Sequence, residues 1–294
     1  MLVDIILVNY NGSDDTIECI NSIHKTKYNY DVEIIVVDNC SNEGERKKIR
    51  EFCENKGCIF IQSEVNGGFA YGNNLGIQKA IDAKADYIML LNNDTVVQND
   101  FLNPLVNFLQ SHNDVAMVSP KILYYNHDII CSEGGEINWM LAGQNNNENK
   151  KDYKNDVEIY SSFLSGCCIL FRKELIDSVG MLSEDYFMYY EDVDFSYRVC
   201  TKGYKMCCVP SSIIYHKIGM SSGGDNSPFT LEWATRGHHI FINKVAKQNG
   251  KYYFVKCYVY IRDVIRIIYY ACFKSTDKAK SIWKGLVVPY RKRN

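Results

Sequence analysis

Proline is scarce, at 5 of 294 residues. No apolar stretch runs unbroken for the about 20 residues that a membrane-spanning helix needs. The opening Met1-Leu2-Val3-Asp4 lacks a basic segment, a long apolar core and a small-residue cleavage site, so no signal peptide is expected. A charge excess is also missing. The 33 Lys and Arg against 35 Asp and Glu leave a formal net charge of -2, which sets aside a wholesale nucleic-acid binder. Cysteine is plentiful at 12, yet no Cys-x-x-Cys pair occurs. The adjacent pairs Cys167-Cys168 and Cys207-Cys208 sit in apolar runs, where neighbours on a strand point to opposite faces. They read as small hydrophobes in a reducing compartment, and the chain as cytoplasmic. The Gly-x-Gly-x-x-Gly and P-loop phosphate patterns are absent.

What is present is enough apolar residue, 46% of the chain, for one large domain or a domain with an appendage. The first 120 residues alternate two patterns. Strand-like runs cover Val3 to Asn9, Val32 to Asp38, Ile59 to Gln62, Tyr87 to Leu91 and Val115 to Ser119. Helical spacing covers Asp14 to Lys25, Glu43 to Cys53, Gly72 to Lys84 and Phe101 to Ser111. Such alternation predicts an α/β fold with a mostly parallel central sheet flanked by helices. Ligands of such sheets bind beyond the carboxyl ends of the strands. Those ends read Asn9-Tyr10-Asn11, Asp38-Asn39, Asn66-Gly67-Gly68 and Asn92-Asn93-Asp94. One such end is ordinary turn chemistry, whereas four on one edge point to a site. The Asn-rich stretch from Asn126 to Asp156 predicts a long, mobile excursion. Order resumes at Phe163, with a buried strand through Phe171, a short helix from Lys173 to Val179 and a helix from Glu191 to Lys202. Further strands run over Lys205 to Val209 and Ile213 to Tyr215.

Three carboxylates and a histidine carry the chemistry. Asp94 ends a buried strand, where a lone carboxylate can hold a hard divalent cation with phosphate oxygens and water. Glu191 and Asp192 begin a helix, where acids are favoured by the dipole. Asp194 and Arg198 are placed to pair along that helix. Asp192 instead shares the inward side with Phe195, Ser196 and Val199, which suits a general base. His216 follows a strand and precedes a glycine-bearing loop, a position open to a metal ligand or to an ordinary packed histidine. The glycines at 67 and 68 open a helix, where close backbone approach and an anion site coincide.

Read in order, these pieces resemble family 2 glycosyltransferases, and in particular their rhamnosyltransferase-like bacterial branch. The matching segments are Val8 to Asn11, Val37 to Ser41, Asn66 to Ala70 with Gly72 to Gly76, and Leu91 to Asp94. Then follow Gly166 with Leu170 to Glu174, Phe187 to Tyr189 with Glu191 to Asp194, and His216 with Gly219-Met220-Ser221. The resemblance runs from residue 3 to about 222 and implies a GT-A fold. Residues 1–240 would form the catalytic domain, with a nucleotide-binding half to about 120 and an acceptor half after it. Residues 241–294 would form a helical, basic tail.

The resemblance also implies roles. Asp38 would meet the nucleotide base, with Asn9, Tyr10 and Asn11 lining the same pocket. Asn66, Gly68, Asn74, Asn92 and Asn93 would be donor contacts. Asp94 and His216 would hold Mg2+ or Mn2+, Asp192 would be the base, and Glu191 and Arg198 would support it. Asn92 stands where this family often has an Asp, which implies weaker metal binding. The expected reaction is an inverting, metal-dependent transfer of a sugar from a dTDP- or UDP-sugar, with dTDP-rhamnose preferred. The acceptor would be a glycan or lipid-linked glycan in bacterial cell-surface polysaccharide synthesis. A nucleotidyltransferase is the first rival, disfavoured because Asn9 to Thr16 carries no basic residue for a triphosphate. A non-catalytic sugar-nucleotide or glycan-binding module is the second. The segment from Tyr252 to Phe273 is aromatic and apolar, and Lys274, Lys278, Lys280, Lys284 and Arg291 to Arg293 follow. It suits either a helix at the inner face of the plasma membrane or one packed on the core or on a second copy in a homodimer.

Overall fold

The computed structural model describes residues 1–217 and 226–287. Its strands are β1 (Leu2–Asn9), β2 (Asp31–Asp38), β3 (Ile59–Gln62), β4 (Tyr87–Leu91), β5 (Thr95–Val97), β6 (Val115–Tyr124), β7 (Ile130–Ser132), β8 (Gly135–Ile137), β9 (Gly143–Asn145), β10 (Ile159–Ser161), β11 (Cys168–Arg172) and β12 (Lys205–His216). The helices are α1 (Ser13–Ile23), α2 (Glu43–Lys56), α3 (Gly68–Asp82), α4 (Leu102–Ser111), α5 (Glu174–Val179), α6 (Glu191–Thr201), α7 (Pro228–Gln248), α8 (Tyr253–Phe273) and α9 (Thr276–Val287).

The main sheet runs in the order β10-β12-β6-β11-β4-β1-β2-β3. Strands β1, β2, β3, β4, β6 and β12 point one way, while β5, β7, β10 and β11 point the other. The expected α/β sheet is therefore present, with every reversed strand falling after β4, and β11 inserts antiparallel between β4 and β6. Alternation along β1 builds two cores. Val3, Ile5 and Leu7 pack with α1, α2 and α4, and Ile6 packs with α3, α5 and α6. Asp4 falls on the face of Ile6, fully buried, with both carboxylate oxygens lacking a partner among the described residues. Burial, and then the nearby Glu33, push its pKa up to about 7.

Several expected boundaries move. Helix α3 begins at Gly68 rather than Gly72. The two strands expected between Lys205 and Tyr215 join as β12, with a register shift against β6 between Val209 and Ile213. Positions 120 and 240, where the sequence reading divides the chain, fall inside β6 and α7. The expected mobile excursion after residue 126 is corrected. It contains β7 and the β8–β9 hairpin, held by a buried charge cluster. Lys121 Nζ lies 3.0 Å from Asp152 and 3.4 Å from Glu133, both Lys121 and Glu133 being withdrawn from solvent. Asn147 and Tyr153 each donate to Glu133 at 2.8 Å. Polar composition suggested solvation, whereas these groups satisfy one another inside the protein. No described helix is long and apolar enough to cross a membrane.

Candidate active site

A cavity of about 590 Å³ opens at the carboxyl ends of β1, β2 and β4, as the parallel half of the sheet requires. Its wall includes Tyr10, Asn39, Asn66, Gly68, Asn92, Asn93 and Asp94 from the strand ends, and His216 from the end of β12. Gly166 comes from the loop before β11, Phe187 and Tyr189 from the loop before α6, Glu191 and Asp192 from the first turn of α6, and Phe229 and Trp233 from α7. The sequence therefore places Tyr10, Asn66, Gly68, Asn92, Asn93, Asp94, Glu191, Asp192 and His216 around one space.

The remaining named residues stand behind that wall, and their distances say what they do. Asn93 donates to Thr16 Oγ1 at 2.9 Å, Thr16 donates to Asn9 Oδ1 at 3.0 Å, and Asn9 donates to Asp38 Oδ1 at 3.0 Å. The Ser41 backbone N–H completes Asp38 at 3.1 Å. This buried chain locks the ends of β4, β1 and β2 together, and each Asp38 oxygen accepts a single bond, which leaves acceptor capacity on the carboxylate. Asn11 adopts a left-handed φ of 52° and turns outward, accepting from the backbone N–H of Asn42 at 2.8 Å. Asn74 is corrected from donor contact to clamp. Its amide donates to Leu182 O and Glu184, both at 2.9 Å, and accepts from Leu182 N–H at 3.1 Å. Arg198 pairs with Asp194 at 2.6 Å and donates to Met181 O at 2.9 Å, which anchors the loop before α6 away from the cavity.

Two consecutive residues, Tyr189 and Tyr190, take positive φ values of 67° and 75°. Such strain in non-glycine residues persists only where the surroundings enforce it. Here Tyr190 stacks on His238 at 4.8 Å, and burial pulls that histidine down to about 4, so the ring beneath is neutral. The kink starts α6 at the cavity. Asp192 Oδ2 accepts the Gly166 N–H at 3.0 Å, and Oδ1 accepts the Val193 N–H at 2.8 Å. A side chain at Gly166 would begin 3.1 Å from Asp192 Cβ, so glycine permits this approach. Burial raises the pKa of Asp192, against the lowering effect of those N–H groups. Beside it, Glu191 is buried with Oε2 unpartnered among the described residues. Burial and then the Asp192 charge push Glu191 well above the carboxylate range. Gly68, at φ 86°, is equally constrained. An added Cβ would fall 2.0 Å from Phe187 O, so α3 can dock on the loop bearing Phe187 only through glycine.

On the strand side, His216 Nε2 lies 3.0 Å from Asp94 Oδ1 and 3.3 Å from Asn92 Nδ2. An imidazole nitrogen that close to a carboxylate oxygen needs a proton or a cation between them. Burial acts to raise the pKa of Asp94, but the His216 hydrogen bond and charge bring it below the usual range, leaving an anion at neutral pH. His216 Nδ1 and Asn92 Oδ1 are buried without partners among the described residues. A carboxylate, an imidazole and a free amide oxygen fit Mg2+ or Mn2+, provided that phosphate oxygens and water fill the remaining positions. No group of three His, Cys, Asp or Glu converges among the described residues. The Gly219-Met220-Ser221 motif lies outside them.

Residues 4–180 match the family described as Glycosyl transferase family 2. The chain belongs to that family. The matched span ends before α6, so the placement of Asp192 and His216 rests on geometry. Among curated relatives, the low-salt glycan biosynthesis hexosyltransferase Agl10 of Haloferax volcanii is 27% identical over 206 residues, covering 67% of this chain and 61% of that protein. Poly-beta-1,6-N-acetyl-D-glucosamine synthase of Staphylococcus aureus is 24% identical over 82% of this chain and 55% of its own length. The chain thus spans less than two thirds of the length of both relatives. GalNAc-T7, solved with UDP, GalNAc and Mn2+, superposes with a TM-score of 0.65 at 20% identity, over 81% of this chain and 47% of that one. The mannosyltransferase PcManGT from Pyrobaculum calidifontis, solved with GDP-Man and Mn2+, gives 0.60 at 15% identity, over 97% and 79%. These likenesses place the chain in the GT-A fold.

Sequence reading left Asn39, Gly166, Phe187, Phe229 and Trp233 outside the candidate site. Asn39 donates to Asn66 Oδ1 and Gly68 O, both at 3.0 Å, and so shapes the wall. It lay in a quoted segment, which was the available signal. Phe229 and Trp233 are spaced four apart on α7 and share a face. Nothing local says that this face meets the cavity, because α7 reaches it only through tertiary packing.

Proposed function

We propose that this chain is an inverting, metal-dependent hexosyltransferase. It would move a sugar from a nucleoside diphosphate to an acceptor hydroxyl in cell-surface glycan synthesis. One observation carries the reading: Asp192 and the Asp94–His216 pair line the same cavity. A hydrogen-bonded bridge joins their supports, since Gly166 N–H donates to Asp192 while the Cys167 carbonyl accepts Asn92 N–H at 2.8 Å. A base and an electrophilic centre are thereby held in fixed relation, the arrangement that a displacement at an anomeric carbon needs.

In this reading Asp192 accepts the proton of the attacking hydroxyl, and its two N–H partners keep one oxygen lone pair aimed at the cavity. Bound Mg2+ or Mn2+ would neutralise charge on the departing diphosphate, with Asp94, His216 and the Asn92 amide oxygen as its protein donors. Asn66 and the amino end of α3 face the same space and suit the donor's phosphates. dTDP-rhamnose is the preferred donor, on the motif order shared with the rhamnosyltransferase-like branch, and UDP-hexoses come next. The supporting relatives and structures are described with hexosyl transfer, UDP, GDP-Man and Mn2+.

The test is a thermal-shift panel of nucleotide sugars with Mn2+ or EDTA, followed by donor hydrolysis and transfer assays. A dTDP- or UDP-sugar should raise the melting temperature only with metal, and turnover should follow the same donor. If no nucleotide sugar shifts the protein while nucleoside triphosphates do, the nucleotidyltransferase reading replaces this one. Donor binding without hydrolysis or transfer would favour the non-catalytic module.

A further inference from the structure

Helix α8 is inside out. Its residues turned to solvent include Phe254, Cys257, Tyr258, Ile261, Val264, Ile265, Ile268 and Cys272, and no exposed position on the helix carries a charge. Phe254 is 74% exposed, Ile261 61% and Ile265 59%. The spacing, 254, 257, 258, 261, 264, 265 and 268, is one continuous helical stripe. Its charges point the other way. Asp263 is fully buried, with His239 Nε2 at 2.9 Å and Arg262 and Arg266 each at 3.0 Å. The opposite side, with Val255 and Val259, packs on Phe241, Ile242 and Val245 of α7. Packing on the core therefore accounts for one side of α8 and leaves the apolar stripe exposed apart from the Trp139 ring 5.0 Å from Tyr258, a feature that marks a contact surface.

Charge chooses the occupant. Setting aside Arg262, Arg266 and Asp263, which pair with one another, residues 253–294 hold eight Lys and Arg against one Asp, whereas residues 1–252 hold 23 basic and 33 acidic side chains. Lys274, at the end of α8, and Lys280 and Lys284, on α9, are exposed, as is Trp283 on α9. A second copy would bring this basic region against itself, because a two-fold interface pairs like with like. An anionic surface meets no such repulsion. We propose that the outward stripe of α8, with these exposed lysines, lies in the interface of an anionic phospholipid surface, as a peripheral contact that does not cross it.

The experiment is sedimentation of the full chain with vesicles of phosphatidylglycerol and phosphatidylcholine in equal parts, and with phosphatidylcholine alone. The protein should pellet with the anionic vesicles only, and high salt should release it. Each exposed lysine neutralised, as in Lys274→Gln and Lys280→Gln, should lower partitioning about fivefold. The double variant Ile261→Glu with Ile265→Glu should abolish binding while its thermal melting and nucleotide-sugar shift stay as in wild type. Both positions are solvent-exposed, so folding is not at stake, and the melting curve verifies that. Failure of wild type to bind anionic vesicles, or equal binding to neutral ones, overturns the proposal. So does a solution dimer that the Ile261→Glu, Ile265→Glu pair splits, which would assign the stripe to a second copy. None of these outcomes depends on which donor the cavity takes.

Discussion

The strand-end cavity and the α7–α8 layer handle polarity in opposite ways. Around the cavity, apolar strands such as Ile34–Val37 are buried and polar groups collect at their ends, where Asn66, Asp94 and Asp192 face one space. In the helical layer the charges are inside and the hydrophobes outside. Asp263 sits at zero exposure between α7 and α8, while Phe254 and Ile261 face out. Buried ionisable groups are costly in both places. At the cavity Glu191 keeps Oε2 unpartnered among the described residues, whereas Asp263 is bound by His239, Arg262 and Arg266. Between these two buried acids, unspent hydrogen-bonding capacity falls to the one that lines the cavity.

The largest test of this contrast is Asp192→Asn. Loss of the base should cut turnover by about 100- to 10,000-fold while donor affinity survives. Wild-type turnover in that variant would remove Asp192 from the chemistry. Because its pKa is raised, the acidic limb of the wild-type rate profile should lie above the ordinary Asp range and vanish with the substitution. Next comes Asp263→Ala. It strands two arginines in a half-buried setting, and breaking a buried pair costs about 3–5 kcal/mol. Burial alone would raise this acid, but His239 and the arginines hold it at about 2, so its contribution is present above the unfolded pKa and fades only in strong acid. Urea midpoints should fall sharply at neutral pH, and an unchanged midpoint would deny the staple role.

Asp4 is a third kind of buried acid, with neither chemistry nor partner. Its pKa rises from 3.8 to about 7 on folding, so stability is highest below the lower value and erodes as pH climbs toward the upper. Relative to wild type, Asp4→Asn should gain up to about 4 kcal/mol between those limits. Parallel pH dependences of the two proteins would show that Asp4 titrates normally. The smallest expected effect is on binding. Asp94→Ala should weaken Mn2+-dependent donor binding about 10- to 100-fold. Calorimetry that finds the same affinity with and without the carboxylate would move the metal elsewhere.

Much of the first half was legible because its information is local. Periodicity marked β1 through β4 and their helices, and the turn residues after them marked the cavity edge. The roles behind that edge were not legible, since Asn74 and Asn66 look alike in sequence. One spends its amide on Leu182, more than a hundred residues away, and the other lines the cavity. The stretch after residue 126 was misjudged for a similar reason. Three of its polar side chains, Asn147, Asp152 and Tyr153, are tied to buried Lys121 and Glu133, an anchor that composition does not record.

By itself, the sequence determined the alternating α/β order, the polar strand ends and the charge imbalance of the last forty or so residues. Periodicity, turn chemistry and composition act over a few neighbours. Only the tertiary structure decided that β11 would reverse between β4 and β6, that Trp233 would close the cavity, and that α8 would turn its charges inward. Those outcomes depend on which distant groups can satisfy a buried polar atom, and no local pattern records that choice.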